Sequence, residues 1–290
     1  MFKQIKLSGS VLVFLGAVFW SLNSPLVKYL TLNAFLICGL RSVIAAAALS
    51  PMIRPRQLNW GGWMAVYVCS YAGLCISLIF SLSQTAAPIA IGMQYTAVVW
   101  LFLVRLLRTK RFDRRAFAPV CVIVAGVVCF MCSGGSGANL AGNLVALSEG
   151  IFFALTTVSS QKAAGTNPVG LTAVANLFTG ILVFLLFPGT LAGIPAMSLQ
   201  EWGIMLILGV VQVGGGYALY NMGVQKVPAQ KASIIALWEM ILGPVWVAVF
   251  LKEYPSPLVL TGFVIILAGM VLDTLLNSPK PPETVQSHAA

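Results

Sequence analysis

Ten apolar stretches of roughly 17 to 22 residues divide the chain between Met1 and Ser278, and the second five repeat the first five. The clearest internal match sets QTAAPIAIGMQY (Gln84 to Tyr95), followed by CVIVAGVVC, against VQKVPAQKASII (Val224 to Ile235), followed by FVIILAGMVL. In that alignment Pro88 answers Pro228, and Ala125-Gly126 answers Ala268-Gly269. An odd number of spans per copy forces the second copy to enter the bilayer from the face opposite to the first. Such inverted duplications build alternating-access sites at the bilayer midplane.

Composition leaves room for little else. With 59% hydrophobic and 8% charged residues and a mean hydropathy of +0.94, the chain lies far from soluble domains, where about 25% of residues are charged. A span needs about 20 residues to cross the hydrocarbon core, so the spans consume most of the 290 residues. The fold expected is an all-α integral membrane protein of ten transmembrane helices in two inverted five-helix repeats, 8–133 and 141–276, with a disordered cytoplasmic tail over 277–290. Continuous apolar runs of this length exclude a β-barrel, whose strands are shorter and alternate apolar with polar.

The spans are expected at 8–28, 34–53, 61–82, 88–107, 116–133, 141–161, 169–187, 201–221, 230–250 and 257–276. The formal charge of +10 does not indicate nucleic acid, because the basic residues fall between spans. One side collects Lys3, Lys6, Arg54, Arg56, the cluster from Arg105 to Arg115, Lys162, Lys226, Lys231 and Lys280, and the other only Lys28 and Lys252. The positive-inside rule then places both termini in the cytoplasm of a cell (inner) membrane. MFKQIK and the apolar run behind it resemble a signal peptide, but the run continues to about Val27 and nine spans follow, so a retained first helix is expected.

All six cysteines lie within spans of the first half, and Cys129-x-x-Cys132 has neither a second pair nor a histidine beside it. They read as buried apolar thiols, and no metal or cofactor is expected. Pro88 and Pro228 read as helix initiators in the first turns of spans four and nine. The run from Gly209 to Gly216 in span eight exposes bare backbone, for close helix packing or for a flexible segment at a cavity.

From Leu237 to Leu272 the chain reads LWEMILGPVWVAVFLKEYPSPLVLTGFVIILAGMVL. This resembles the closing part of an EamA domain, with Glu239, Gly243, Pro244, Trp246, Glu253, Pro255, Gly262 and Gly269 on the pattern. Together with the duplication, the whole chain resembles the drug/metabolite transporter superfamily, and the resemblance implies a transporter. The first half departs from the pattern: where its fourth helix should end in an acid it carries LLRTKRFDRR, a basic loop. Glu253 therefore reads as an anchor for a helix end.

Three ionisable residues fall near span centres: Arg41, Glu149 and Glu239. Charged groups at that depth cost at least about 2.5 kcal/mol on insertion scales and normally face a cavity or one another. Glu149 reads either as a proton-exchanging carboxylate or as the ion-pair partner of Arg41. Glu239 reads as a second functional carboxylate or as an acceptor for disrupted backbone near Gly243 and Pro244. Arg41 reads as a clamp for a substrate carboxylate or as a neutralising charge for one glutamate. Alignment of the halves puts Glu149 near Leu15 and Gly16, and Glu239 near Val99, so neither acid has a partner in the first copy.

Around these, Trp20, Ser21, Asn23, Gln94, Tyr95, Trp100, Asn176, Gln212, Tyr217, Asn221 and Trp238 are candidates to line a midplane cavity for an amphipathic small molecule. Of them Gln94, Tyr95, Asn176, Gln212 and Trp238 join the three ionisable groups as expected site residues. No Walker motif is present, so ATP does not drive the chain directly. A membrane-embedded enzyme would need paired carboxylates or a His/Asp cluster at a membrane surface, and a channel would need a filter; neither is visible. The expectation is a secondary transporter, an exporter of amino acids, other small metabolites or amphipathic drugs, with protons as a coupling ion and the lipid bilayer as its surroundings.

Overall fold

A computed structural model describes residues 7–53, 55–132, 139–163, 166–224, 226–227, 229–252 and 254–277. Pro228, Glu253 and the expected tail beyond Asn277 lie outside them. The described residues are helical throughout, with turns between, and nine helices are long and apolar enough to cross a membrane. These are Gly9–Tyr29, Ala34–Met52, Gly62–Gln84, Ala87–Thr109, Arg114–Cys132, Leu140–Ser160, Pro168–Leu186, Leu199–Tyr220 and Pro257–Leu276. A shorter apolar helix, Ile235–Leu251, stands between the last two, within a helix that runs Ala229–Leu251. They are called the first to tenth spans below, with Ile235–Leu251 the ninth.

Local chemistry sets the ends. Ser8, Asn33, Asn139 and Asn167 each accept a backbone N–H of the first turn that follows, satisfying donors a helix cannot pair internally. Before the eighth span, Ser198 and Glu201 form a reciprocal capping box. Pro88 stands in the first turn of the fourth span, as the sequence suggested. At the other end of that span Lys110 takes a left-handed conformation, φ 51°, and its N–H bonds the Leu106 carbonyl.

Two spans are broken near mid-length. The first divides at Leu22 into Gly9–Ser21 and Asn23–Tyr29. The fourth divides at Tyr95–Thr96 into Ala87–Gln94 and Ala97–Thr109. The eighth widens to a π-helix over Ile207–Gly215, overlapping the glycine-rich run. A Cβ on Gly209 would stand 2.5 Å from Ile44 and 3.0 Å from the Arg41 carbonyl, and one on Gly216 would stand 2.6 Å from the Trp20 ring. Close packing therefore accounts for these two glycines, while the π geometry around Gln212 is the kind of irregularity that concentrates at functional sites.

The spans pair in a definite pattern. The fifth packs on the tenth, the third on the sixth, the second on the seventh and the first on the eighth and ninth. The fourth lies on the sixth, the third on the seventh and the second on the eighth. Exchanging every span for the one five places along returns this same set of pairings. The main apolar core gathers Leu36, Ile37, Tyr71, Ile79, Ala175, Val183, Met205 and Leu208 from spans two, three, seven and eight. A second core joins Ile89, Met93, Ile123, Phe130, Met240 and Ile266 from spans four, five, nine and ten.

Candidate functional site: a closed central cavity

The breaks and the π segment converge on one place. Trp20 and Asn23 flank the break in the first span, Gln94 precedes the break in the fourth, and Gln212 lies in the π-helix. All four line a central cavity together with Arg41, Tyr71, Leu74, Cys75, Leu78, Phe153, Val213, Tyr217 and Glu239. Its volume is about 30 Å³, room for a water or two and far below the roughly 300 Å³ from which small-molecule pockets start. The centre is closed in this arrangement. A larger pocket of about 380 Å³ lies at one end of the bundle, between Thr31, Asn33, Thr190 and Glu201.

Arg41 reaches the cavity from the second span with 2% of its surface exposed. Its Nη1 donates to Asn23 Oδ1 at 2.6 Å, its guanidinium lies against the Cys38 and Cys75 thiols, and its Nε has no partner. Trp20 Nε1 is also unpartnered and buried, held between Tyr217 and Tyr220 with ring centroids 4.7 and 4.6 Å away. Gln212 Oε1 is a third unpartnered atom. Among the described residues, two N–H donors and one acceptor on cavity-lining side chains are therefore buried without a protein partner. Buried polar groups are ordinarily satisfied, and leaving one unpaired costs about 1–3 kcal/mol.

Glu239 lines the same cavity from the ninth span and accepts a hydrogen bond from the Tyr95 hydroxyl at 3.2 Å. No ion pair joins Arg41 to Glu239 or to Glu149 among the described residues. The cation and the carboxylate thus line one chamber without neutralising each other. Among the described residues, the bond to Glu239 comes from a side chain of the fourth span.

The other expected residues divide. Asn176 stays out of the lining but accepts from the Tyr71 hydroxyl at 3.2 Å while donating to the Thr172 carbonyl at 2.9 Å, so it positions a lining ring. Glu149 is fully buried one turn from Phe153, outside the cavity lining, and bonds Ser81. Trp238 is absent from the cavity as well: it is 45% exposed on the outer surface, edge-on to Phe14 at 5.8 Å. The reason is helical phase, because adjacent positions on a helix point about 100° apart and Glu239 takes the inward direction. Tyr71 and Cys75 escaped the sequence reading. Their signal was the i, i+4 spacing of Tyr67, Tyr71 and Cys75 along one face of the third span.

Comparison with known proteins agrees with this architecture. Residues 140–274 match the EamA-like transporter family. The chain is 23% identical to the uncharacterized transporter YwfM of Bacillus subtilis (strain 168), over 96% of this chain and 97% of that protein. It is 30% identical over 147 residues to the biotin transporter of Escherichia coli (strain K12), a match spanning 49% of this chain and 48% of the relative. A solved crystal structure superposes with TM-score 0.63 at 18% identity, covering 92% of this chain and 96% of the other, and carries the same fold. The second half of the chain thus matches the EamA-like transporter family, and the chain is similar over nearly all its length to a bacterial transporter.

Proposed function

We propose that the protein is a secondary transporter that moves a small metabolite bearing a carboxylate or zwitterion by alternating access at the central cavity. The observation that carries this reading is the set of buried, unpartnered atoms Arg41 Nε, Trp20 Nε1 and Gln212 Oε1 on side chains that line one chamber. A guanidinium whose Nε–H is free matches a carboxylate. Gln212 supplies an acceptor, and Glu239 offers the opposite charge for an ammonium or other donor at the far end. The aromatic faces of Trp20, Tyr71 and Tyr217 suit the apolar part of such a molecule. Amino acids fit this description, and so does biotin, the cargo named for the Escherichia coli relative.

The permutable pairing of spans supports two inverted five-helix repeats, 8–133 and 141–276, with the cavity between them. The basic-residue bias supports a cell (inner) membrane location with both termini cytoplasmic. Net export is the direction we assign, with protons as the coupling ion. The pocket at the end of the bundle, beside Thr31 and Glu201, would be the vestibule met once the centre opens.

Proteoliposomes containing the purified protein should accumulate radiolabelled amino acids or biotin above protein-free vesicles, and Arg41→Ala should lower that uptake at least tenfold. Uptake of cationic dyes with no uptake of any carboxylate, or full carboxylate uptake by Arg41→Ala, would overturn the assignment of the clamp.

A further inference from the structure

The buried interface between the third and sixth spans carries hydrogen-bonding groups that the cavity does not use. Ser70 accepts from Thr156 at 3.0 Å, Ser81 contacts Glu149, Thr85 donates to Asn143 Oδ1 at 2.7 Å, and Asn139 Nδ2 donates to Gln84 Oε1 at 3.3 Å. The last of these pairs is exposed, whereas Glu149, Ser81 and Asn143 are buried. A line of polar side chains therefore leads from the surface at Gln84 and Asn139 to Glu149.

The bonds at Ser81 constrain where a proton sits. Its hydroxyl has one hydrogen but two acceptor contacts, the Leu78 carbonyl at 3.0 Å and Glu149 Oε1. If that hydrogen goes to Leu78, as it does for the serines and threonines that bond back onto a helix, the second contact needs a hydrogen supplied by the carboxyl group. Glu149 Oε2 meanwhile has no donor. An ionised carboxylate would hold a full negative charge there with one oxygen bare, a cost that buried groups avoid by neutralising. Among the described residues no cation pairs with it, and Arg41 is bonded to Asn23. Of the titratable groups on the packed spans, Cys75 on the third lies against Arg41 and Tyr95 on the fourth donates to Glu239.

We propose that Glu149 is a proton-binding site separate from the central cavity, holding its proton against Ser81 while the third and sixth spans are packed, and exchanging it along the polar line to Gln84 and Asn139. The proton passes from the carboxyl oxygen to water when that line opens, leaving a carboxylate that water can solvate, and it returns as the spans close. This deepens the transporter reading above and rests on it only for the purpose the proton serves. It assigns proton exchange to Glu149, with Arg41 and Glu239 left to the substrate.

Two ligand-free measurements test it on the full-length protein in bilayers. In infrared difference spectra between acidic and alkaline buffer, a protonated-carboxyl band should be present at neutral pH, vanish in Glu149→Gln, shift in Ser81→Ala and survive in Glu239→Gln. Spin labels at Ser83 and Leu140, on a background with the native cysteines replaced, should separate on alkalinisation and stay close in Glu149→Gln at every pH. A wild-type spectrum unchanged by Glu149→Gln, a band unmoved by Ser81→Ala, or label separation that persists in Glu149→Gln would overturn the proposal. Because neither measurement uses cargo, a failed search for substrate in the proteoliposome assay leaves both readable.

Discussion

The interface of the third and sixth spans and that of the first and eighth exchange places when each span is replaced by the one five along, yet they are built from different chemistry. The first and eighth meet backbone to backbone: a Cβ on Gly16 would stand 3.0 Å from both the Gly216 carbonyl and the Tyr220 nitrogen, and one on Gly223 would stand 2.8 Å from the Gly9 carbonyl and the Val13 nitrogen. The third and sixth meet through side-chain hydrogen bonds, Ser70–Thr156, Ser81–Glu149 and Thr85–Asn143. Helices in lipid associate by both means, small residues that allow close approach and polar groups that bond across. The difference is that backbone packing depends on shape alone, whereas a hydrogen-bonded interface that includes a carboxyl group also depends on a proton. Two pairings that exchange under this permutation can thus differ in kind, one set by shape and the other responsive to a proton.

The largest effect that would break this contrast is expected at Gly223. Adding one methyl group in Gly223→Ala presses on backbone atoms that cannot turn aside, and overpacking of this kind costs about 1–3 kcal/mol. The variant should melt well below wild type in detergent at every pH. A wild-type melting temperature would mean that the first and eighth spans part freely and that their pairing is not set by shape.

A smaller loss is expected from Thr85→Val combined with Asn143→Leu. Interhelical hydrogen bonds in membranes average about 0.6 kcal/mol and reach about 1.7, so the pair should lower stability by less than Gly223→Ala does. A double-mutant cycle on thermal melts measures the coupling. A coupling energy near zero would remove Thr85–Asn143 from the interface's polar line.

The smallest effect is expected at Trp238→Ala. Its ring lies on the outer surface, so substrate uptake should stay within about twofold of wild type, while its neighbour change Glu239→Gln should alter uptake of zwitterionic cargo strongly. Paired uptake measurements on these adjacent residues report directly which face of the ninth span the cargo meets.

The helical membrane fold was largely legible in the sequence because apolar length is a one-dimensional signal: a run of about 20 apolar residues needs no partner to declare itself. The site was legible in part. Arg41, Gln94, Gln212 and Glu239 stand out as polar residues in apolar runs, and all four line the cavity. Trp238 and Glu149 stand out for the same reason and do not line it, because polarity along the chain carries no information on helix phase or on which neighbour a buried face meets. Tyr71 was overlooked since an aromatic within a span is ordinary; its place in the cavity lining and its bond to Asn176, 105 residues away, give it a role. The break at Leu22 carries a sequence marker, Pro25, whose missing N–H removes the bond to the Ser21 carbonyl; the break at Tyr95–Thr96 has none, and the two bring Asn23 and Gln94 to the cavity.

Alternating access at the central cavity is the claim on which the account turns, and Cys75 offers a native probe of it. This thiol lines the closed cavity beside Arg41 and is 5% exposed. In a variant retaining only this cysteine, reconstituted with known orientation, a membrane-impermeant thiol reagent should label Cys75 slowly from either face, and a bound carboxylate substrate should slow labelling from both. Labelling from one face alone under all conditions, or none from either, would contradict a site that opens alternately to the two sides of the membrane.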